Sequence, residues 1–476
     1  MTALHDLSAR EQRDALARGD LTPTELTRHY LGRIERWNDR LGAFITVTPD
    51  AALERAAALE QAGRAGAGGA VRLWGLPFAD KDLVRRAGVR TTFGSRLFAD
   101  YVPEESDALA LALDAAGGVS LGKSNTPEFG MPSHTENLVS EPARNPWDLS
   151  LGAGGSSGGA ATAVAAGLLP FAPGSDGGGS VRIPAAATGL VGIKPSRGLV
   201  PSGTGIDGLG GLAVPGPLAR TVADAAMLLD AMMEGEQPFT LRSERPWRAS
   251  LEEYALASDS TKLTIGVVTT SPWSASVDIE VEPEALAAVE TAVRELEGRG
   301  HRVRNTDPQW PGTYAEHFTT VWQSGAALIP AAGDELQLLE PLTRWLIDEG
   351  RRTSAPALAA ALRGFADFER STIAQLREFD AVITPALAQS PRPIGWYSSD
   401  PVRNFEQQVQ LTPFTSFVNV AGLPAIVVPV AESAAGLPIA IHLIGRPGGE
   451  ATLVGLAAQL ESTFRGGDRH PPVWFD

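Results

Sequence analysis

The segment from Leu151 to Pro184, LGAGGSSGGAATAVAAGLLPFAPGSDGGGSVRIP, contains two glycine-rich serine clusters joined by a run of small residues with a helical pattern. Glycine adds no side chain to a core and loses much conformational entropy on folding, so this density indicates a backbone that turns sharply or approaches a ligand closely. Ser156, Ser157 and Ser180 lie inside the clusters. These three serines are therefore the first candidates for chemistry.

The composition narrows the class of partner. The 476 residues carry 40 Lys and Arg against 56 Asp and Glu, a net charge of −16, and no cysteine. This acidic balance lacks the basic footprint of a protein that binds nucleic acid or an anionic membrane, which leaves a small molecule as the expected partner. Without cysteine there is no disulfide, thiolate nucleophile or Cys-ligated metal, which fits a reducing compartment. The chain shows neither an apolar signal-peptide core nor a run of about 18 apolar residues, so we expect a cytoplasmic protein.

The pattern of elements favours an α/β layer architecture, because short apolar segments alternate with small-residue helices from Trp74 onward. Thr22 and Glu25 form a capping pair around Pro23 and predict the start of a helix. Periodicity predicts further helices at 50–61, 221–233 and 450–461 and strands at 263–268, 381–384, 425–430 and 439–444. The segments 235–262 and 385–404, rich in Pro, Ser, Trp and charge, are expected to run over the surface.

The letters Gly154-Gly155-Ser156-Ser157-Gly158 match G-x-S-x-G, the nucleophile elbow of α/β-hydrolases. That elbow needs a buried strand immediately before it, and here the preceding residues form a turn-rich stretch, so this interpretation is disfavoured. The seven histidines show no H-x-x-x-H pair and have no cysteine partners, so no metal site is expected. His442 is the one histidine inside a strongly apolar strand, which makes it a candidate pocket residue.

Lys81 is a candidate base for these serines. It follows the apolar segment Leu76–Ala79 instead of lying on a charged helix face. A buried lysine has a lowered pKa because burial disfavours its charged form, and a neutral amine can take a proton from a hydroxyl. The alternative is an exposed lysine beside Asp80 and Asp82, and local sequence leaves both interpretations open.

Three linked motifs resemble the amidase signature family: Gly75-Leu76-Pro77 with Lys81-Asp82, the cluster at 154–159, and the segment from Ser175 to Pro184. Lys81 and Ser156 lie 75 residues apart, and Ser156 and Ser180 lie 24 apart, which also fits the family. The resemblance is densest over 74–233, weak over the variable substrate-side region 234–410, and returns at 411–461. It implies one amidase domain over 1–476, with a mixed central β-sheet covered by α-helices on both faces.

The resemblance implies a role for each motif residue and requires neither a cofactor nor a metal. Ser180 is the nucleophile, Ser156 is a proton relay with a cis peptide bond, and Lys81 is the base. The backbone N–H groups of Gly177, Gly178 and Gly179 form the oxyanion hole. Asp176 and Arg182 flank this loop and are expected to pair across it, in a supporting role. Ser157 is expected to be a hydrogen-bonding neighbour, although the letters alone do not exclude an exchange of roles with Ser156.

The substrate is less constrained than the chemistry. Phe129, Gly130 and Met131 follow the turn at 125–128 and, with His442, are the candidate substrate-binding residues. His442 stands where many relatives carry Gln, and Gly177 stands where many carry Thr or Ile. Four aromatic residues of the C-terminal region indicate either an apolar pocket or ordinary core packing: Trp396, Phe405, Phe414 and Phe417.

The expected function is hydrolysis of a small apolar or aryl amide through an acyl-enzyme, and ester, carbamate and oligoamide cleavage belong to the same chemistry. The sequence looks closer to aryl acylamidases and nylon-oligomer (6-aminohexanoate cyclic dimer) hydrolases than to the amidotransferase A subunit. The alternatives are that A subunit, which needs partner subunits, and a non-catalytic binding protein. The expected assembly is a monomer or a homodimer.

Overall fold

The computed structural model describes residues 3–66, 71–200, 206–234, 246–257, 261–464 and 469–475. Helices and strands alternate along this part of the chain. The helices are α1 (Ala9–Arg18), α2 (Pro23–Leu41), α3 (Pro49–Gly66), α4 (Ala108–Ala115), α5 (Gly158–Ala165), α6 (Arg182–Thr188), α7 (Val222–Met233), α8 (Leu251–Leu256), α9 (Pro283–Gly298), α10 (Tyr314–Ala326), α11 (Pro341–Arg352), α12 (Ala355–Leu376), α13 (Pro401–Leu411), α14 (Ser416–Val420) and α15 (Glu450–Phe464).

The strands lie in three sheets. They are β1 (Phe44–Val47), β2 (Pro77–Lys81), β3 (Val119–Ser124), β4 (Arg144–Asn145), β5 (Asp148–Gly152), β6 (Phe171–Asp176), β7 (Val191–Lys194), β8 (Val214–Ala219), β9 (Thr264–Val267), β10 (Arg302–Asn305), β11 (Ala381–Pro385), β12 (Ala425–Glu432) and β13 (Pro438–Gly445). An eight-stranded sheet has the order β10-β9-β11-β13-β12-β7-β8-β6, a three-stranded sheet has the order β1-β3-β2, and β4 pairs with β5.

The central sheet is mixed, which confirms the expected α/β fold. β9 pairs in parallel with β10 and β11, whereas the strands from β11 through β13, β12, β7 and β8 to β6 pair antiparallel. Helices α6, α7, α9 and α15 pack against its strands. The sheet contains strands from all three sequence regions, since β6 to β8 lie in the dense region, β9 to β11 in the variable region, and β12 and β13 in the C-terminal return.

Local sequence signals explain where the elements begin and end. Thr22 accepts a hydrogen bond from the Glu25 N–H, Pro23 starts α2, and Gly42 ends it at a φ of 60°, where a residue with a Cβ would be strained. The other predicted helices and strands are present as α3, α7, α15, β9, β11, β12 and β13, with small shifts at their ends. Among the described residues, no helix is both long and apolar enough to cross a membrane.

The expectation that residues 235–262 run over the surface is wrong for one part of this segment. Residues 251–256 form α8, and Leu251 is fully buried against the core. Ser250 caps this helix and Glu253 completes the capping box, a signal that the polar composition of the segment had obscured. Residues 235–245 and 258–260 lie outside the described residues.

Small residues allow α5 to begin close to the three-stranded sheet of β1, β3 and β2. A Cβ atom added to Gly159 would lie 2.2 Å from the Asn125 nitrogen and 2.5 Å from the Ala43 carbonyl oxygen. Ala160 and Ala161, the next residues of α5, are fully buried. This close approach of backbone to backbone fixes the start of α5, and therefore the serine cluster immediately before it.

We expect Gly159→Ala to destabilise the protein by roughly 3 kcal/mol, because the new methyl group meets backbone atoms that cannot rotate away. The matched control is Gly455→Ala in α15, where a Cβ meets nothing within 4 Å. This control should gain up to about 1 kcal/mol from the higher helix propensity of alanine. Denaturant midpoints of the two variants test the packing, and equal midpoints would contradict it.

Candidate active site

Lys81 is the last residue of β2, and only 1% of its surface is exposed. Its Nζ donates to Ser156 Oγ at 2.8 Å and to Ser175 Oγ at 3.1 Å. A strand that ends under the serine cluster therefore carries the amine into direct contact with one of the candidate serines. Ser175 was not predicted, although it lies in the quoted motif one residue before Asp176.

The two aspartates beside Lys81 have other partners. Side chains alternate along a strand, so Asp80 lies on the opposite face of β2 from Lys81, and Asp82 follows the end of the strand. Asp80 pairs with Arg86 at 2.6 Å, and Asp82 pairs with the fully buried Lys123 at 3.1 Å. The alternative of an exposed lysine beside two aspartates is therefore wrong.

Ser156 and Ser157 follow a cis peptide bond between Gly155 and Ser156. Both serines are buried. The Ser157 N–H donates to the Ser180 carbonyl oxygen at 3.1 Å, and its hydroxyl donates to the Ser175 carbonyl oxygen at 3.3 Å. Ser157 thus joins the two serine clusters through the backbone, while Ser156 faces the lysine.

A strand, β5, does precede the first serine cluster, where the sequence indicated only turns. It belongs to a two-stranded hairpin, and its residues are exposed or half-buried. A nucleophile elbow requires a buried strand at this position. The match of residues 154–158 to G-x-S-x-G therefore lacks the structural context of an elbow.

The glycine segment, Gly177 to Gly179, follows the end of β6 and leads directly to Ser180. The N–H groups of Gly177, Gly178 and Ser180 have no hydrogen-bond partner among the described residues. The Gly179 N–H donates to Asp176 Oδ1 at 2.8 Å. The N–H groups available for an oxyanion are therefore those of Gly177, Gly178 and Ser180, which corrects the expectation for Gly179.

Position 179 requires glycine for a different reason. Its φ is 132°, and a Cβ there would lie 2.4 Å from Thr415 Oγ1. The Thr415 hydroxyl donates to the Gly178 carbonyl oxygen at 2.6 Å. Thr415 therefore lies directly against the segment and holds one of its peptide groups in a fixed orientation.

Asp176 and Arg182 form a fully buried ion pair across the glycine segment, with the Arg182 Nη2 and Asp176 Oδ1 atoms 2.8 Å apart. A second bond joins Arg182 Nε to Asp176 Oδ2 at 2.9 Å. Burial alone would raise the pKa of the Asp176 carboxyl, but the charge of Arg182 and its hydrogen bonds outweigh burial and hold that pKa well below its usual range. The carboxylate consequently stays charged and anchors the segment.

Asn419 completes this ion pair from the C-terminal part of the chain. Its Nδ2 donates to Asp176 Oδ1 at 2.9 Å, and its Oδ1 accepts from Arg182 Nη2 at 2.6 Å. Asn419 was not among the residues predicted for the site. The signal that could have found it was its place in the returning motif before Gly422.

His442 lies behind Arg182 and does not line the site. It is fully buried on β13, and its Nε2 lies 3.0 Å from Arg182 Nη1 and its Nδ1 3.1 Å from Thr384 Oγ1. Since arginine only donates, we assign Nε2 as an acceptor and Nδ1 as the N–H donor. Burial and the charge of Arg182 lower the pKa of His442 well below its usual range. The expected contact with substrate does not fit this placement, and His442 instead helps to position Arg182.

The segment of Phe129, Gly130 and Met131 does lie beside the serines. A Cβ on Gly130 would lie 3.3 Å from Ser156 Oγ. Phe129 and Met131 are half-buried and pack on one hydrophobic cluster together with Trp322 and Phe405. These partly exposed side chains provide apolar surface near the lysine and serine.

The other aromatic candidates separate into core and surface. Phe414 and Phe417 are fully buried, so the core-packing alternative holds for both. Trp396 is half-buried and packs against Tyr397 and under the Arg392 guanidinium. Trp322 does contact that segment and was not predicted, because it lies in the variable region where no motif marks it.

His134 is a buried histidine next to the serine cluster. A Cβ on Gly155 would lie 2.6 Å from the His134 carbonyl carbon, and the imidazole stacks on Tyr397 with ring centroids 4.0 Å apart. Neither ring nitrogen has a partner with good hydrogen-bond geometry among the described residues, and the Asn404 side chain opposes only part of the effect of burial on the pKa of His134. Burial lowers the pKa of His134 to about 4, and the nearest carboxylate, on Glu136, lies 3.9 Å from Nδ1.

The site contains a buried lysine that donates to Ser156, and a further serine, Ser180, that follows the glycine segment. Two N–H groups of that segment have no partner among the described residues. These groups are the ones that a hydrolase with an oxyanion intermediate requires. The comparison with known proteins agrees, because the family profile described as Amidase matches residues 25–454. The chain belongs to the amidase signature family. It is a hydrolase that acts on amides.

Proteins of known sequence and structure resemble this chain over nearly its whole length. AmiB2 of Mycobacterium tuberculosis, a protein named as a putative amidase, is 38% identical and covers 99% of each chain. The structure of 6-aminohexanoate cyclic dimer hydrolase has a TM-score of 0.90 at 27% identity and covers 99% of this chain and 100% of its own. A bacterial aryl acylamidase has a TM-score of 0.85 at 26% identity with the same coverage. The resemblance to both kinds of enzyme is confirmed.

Amidotransferase A subunits are also similar to this chain. The glutamyl-tRNA(Gln) amidotransferase A subunit of Roseiflexus sp. is 35% identical over 95% of this chain and 96% of its own.

Asp176→Asn should destabilise the protein by about 3–5 kcal/mol, because Arg182 would remain buried without a counter-charge. The matched control is Glu369→Gln, which removes the carboxylate partner of Arg197 at a half-exposed pair and should cost about 0–1 kcal/mol. Denaturant unfolding of both variants at pH 7.5 measures the difference. Equal losses would show that the buried pair does not anchor the segment.

Acid should destabilise the protein through His134. In the unfolded chain the His134 imidazole takes up a proton near pH 6.5, whereas in the folded protein it does so only near pH 4. Its contribution to the free energy of unfolding is therefore complete above pH 6.5 and falls by about 3 kcal/mol as the pH drops to 4. His134→Phe keeps a ring against Tyr397 and should flatten the dependence of stability on pH over this range. Denaturant midpoints at pH 7.5 and 5.0 test this, and an unchanged slope would contradict it.

Proposed function

We propose that this protein hydrolyses a small apolar or aryl amide through an acyl-enzyme on Ser180, with Ser156 as proton relay and Lys81 as base. One observation carries the proposal: the buried Lys81 Nζ donates to Ser156 Oγ at 2.8 Å. A serine hydroxyl is a weak nucleophile until an adjacent base removes its proton. A hydroxyl between two groups can accept a proton from one and donate to the other.

Each step balances within this set of residues. Neutral Lys81 accepts the Ser156 proton while Ser156 accepts that of Ser180, and Ser180 Oγ forms a bond to the carbonyl carbon. The resulting oxyanion accepts hydrogen bonds from the N–H groups of Gly177, Gly178 and Ser180. The intermediate collapses by breaking the bond from carbon to nitrogen, and the amine leaves with the proton returned through Ser156. Water then hydrolyses the acyl-enzyme by the same route.

The hydrogen bonds favour Ser156 over Ser157 as the relay. The Ser157 hydroxyl donates to the Ser175 carbonyl oxygen, and the Ser157 N–H donates to the Ser180 carbonyl oxygen. These contacts support a role for Ser157 in holding the Ser180 backbone beside Ser156. Asp176 and Arg182 support the same geometry from the other side of the glycine segment.

The apolar surroundings support an apolar or aryl substrate. Phe129 and Met131 flank Gly130 beside Ser156, Trp322 lies at the glycine segment, and all three are half-buried and offer apolar surface to a bound molecule. The similarity to an aryl acylamidase and to 6-aminohexanoate cyclic dimer hydrolase supports the same class of substrate. Esters and carbamates present the same carbonyl to Ser180.

The test is turnover of a panel of p-nitroanilides, short aliphatic amides, carbamates and oligoamides. Ser180→Ala, Ser156→Ala and Lys81→Met should each lower kcat/KM on the order of 10⁴-fold or more, because each interrupts the same proton path. Ser157→Ala should be affected much less. The matched control is Ser150→Ala, an exposed serine whose hydroxyl contacts Asp148, which should behave as wild type.

Full activity of Ser180→Ala would overturn the proposal. Equal losses in Ser156→Ala and Ser157→Ala would overturn the assignment of the relay. If no amide is turned over and a fluorophosphonate probe fails to label Ser180, the chain is a binding protein. Amidation that depends on ammonia and a purified amidotransferase B subunit would instead favour the amidotransferase function.

A further inference from the structure

The indole of Trp322 lies directly against the glycine segment. Trp322 is on α10, and its Cη2 and Cζ3 atoms lie 3.4 Å from where a Cβ of Gly177 would be. Phe318, one turn earlier, lies 3.6 Å from the corresponding position of Gly178. The proposed oxyanion N–H groups of Gly177 and Gly178 are therefore bordered by aromatic rings.

Trp322 differs from Phe318 in exposure. The two rings are stacked with centroids 5.6 Å apart, and Phe318 is buried against Trp273 and Tyr314. Trp322 remains half-buried and so keeps surface that a ligand can cover. Its packing on Phe318 fixes the plane of the indole, which makes it a rigid wall.

The path by which the proton returns to the leaving nitrogen indicates which side of the site holds the amine portion of the substrate and which holds the acyl portion. In the proposed reaction the leaving nitrogen receives its proton from Ser156, so the amine portion lies on the Ser156 side of the carbonyl. A Cβ on Gly130 would lie 3.3 Å from Ser156 Oγ, so we place the neighbouring residues Phe129 and Met131 beside the amine portion. The acyl portion extends in the other direction, where Trp322 is the half-buried one of the two aromatic side chains at the glycine segment.

We propose that Trp322 determines specificity for the acyl group and selects apolar, ring-bearing acyl groups, whereas Met131 acts on the amine portion. The proposal rests on the proposed roles of Ser180 and Ser156. Aromatic rings favour offset or edge contacts with another ring, so a planar acyl group gains more from the indole than an acetyl group does.

Gly177 is the residue that admits the indole. Its φ is outside the left-handed region, so its backbone accepts other residues. An alanine Cβ would just fit at 3.4 Å from the ring, but the additional methyl groups of valine would crowd it. Gly177→Val should therefore lower activity, and Trp322→Ala should restore part of it.

Two substrate series separate the sides. One series keeps p-nitroaniline and varies the acyl group from acetyl through hexanoyl to benzoyl, and the other keeps butyryl and varies the amine from methylamine to aniline. Trp322→Ala should reduce the benzoyl-to-acetyl ratio of kcat/KM by about tenfold or more and leave the ranking of amines unchanged. Met131→Ala should do the reverse.

Two controls guard against general damage. Trp310→Ala removes another half-buried tryptophan, which packs on Phe368 and Phe417, and should change neither series. Trp322→Phe keeps a ring and should keep most of the benzoyl preference even if Trp322→Ala folds poorly.

Gly177→Val should lower kcat/KM about tenfold or more. The double variant Gly177→Val with Trp322→Ala should recover part of this activity, whereas the control double variant Gly177→Val with Trp310→Ala should not.

Each outcome bears on a different claim. Unchanged acyl preference in active Trp322→Ala and Trp322→Phe would overturn the inference, as would a shift in the amine series alone. Absence of rescue in the Gly177→Val pair would overturn the role of Gly177. Loss of the proposed function itself is recognised separately, because the wild type would then turn over neither series or Ser180→Ala would turn over both.

Discussion

The buried ion pair of Asp176 and Arg182 holds together the parts of the chain that form the site. Asp176 ends β6 and Arg182 begins α6, so the pair closes the loop that contains the glycine segment and Ser180. Removing two charges from water is costly unless every remaining hydrogen-bonding position is filled. Asn419 and His442 fill these positions from the C-terminal region. The segment is thus fixed by contacts that are distant in sequence.

A second constraint is that Lys81 is buried while the two aspartates next to it in sequence form ion pairs with other residues. The alternation of β2 directs Asp80 away from Lys81, and Asp82 follows the end of the strand. Arg86 pairs with Asp80 and Lys123 pairs with Asp82. Lys81 consequently reaches the serines without an aspartate of its own strand between them. The tight packing of Gly159 against Asn125 then sets the distance between β2 and the serine cluster.

Sequence predicted the part of the site that is local in sequence. Asp176, the glycines, Ser180 and Arg182 occupy one short segment, so their proximity is close to unavoidable. Capping signals and periodicity located four of the fifteen helices that the structure describes: α2, α3, α7 and α15. Partners supplied by tertiary contact could not be predicted. Thr415 and Trp322 reach the glycine segment from the C-terminal region and from α10, and nothing in their local sequence indicates that contact. Asn419 contacts Asp176 from the returning region 411–461, where the motif marks its part of the chain but not its partner. The same limit explains the misassigned His442. The Gly179 N–H bonds to Asp176 within the segment itself, so that error concerns the local conformation of the loop and not a distant partner.

The most direct measurement of the central claim is the position of the acyl group during turnover. The wild type would be mixed with p-nitrophenyl benzoate, quenched in acid within the first turnovers, and digested for peptide mass spectrometry. The account predicts a benzoyl group on Ser180 alone, and its accumulation before steady state. A benzoyl group on Ser156 or Ser157 would contradict it, since the nucleophile would then lie in the first serine cluster and not after the glycine segment.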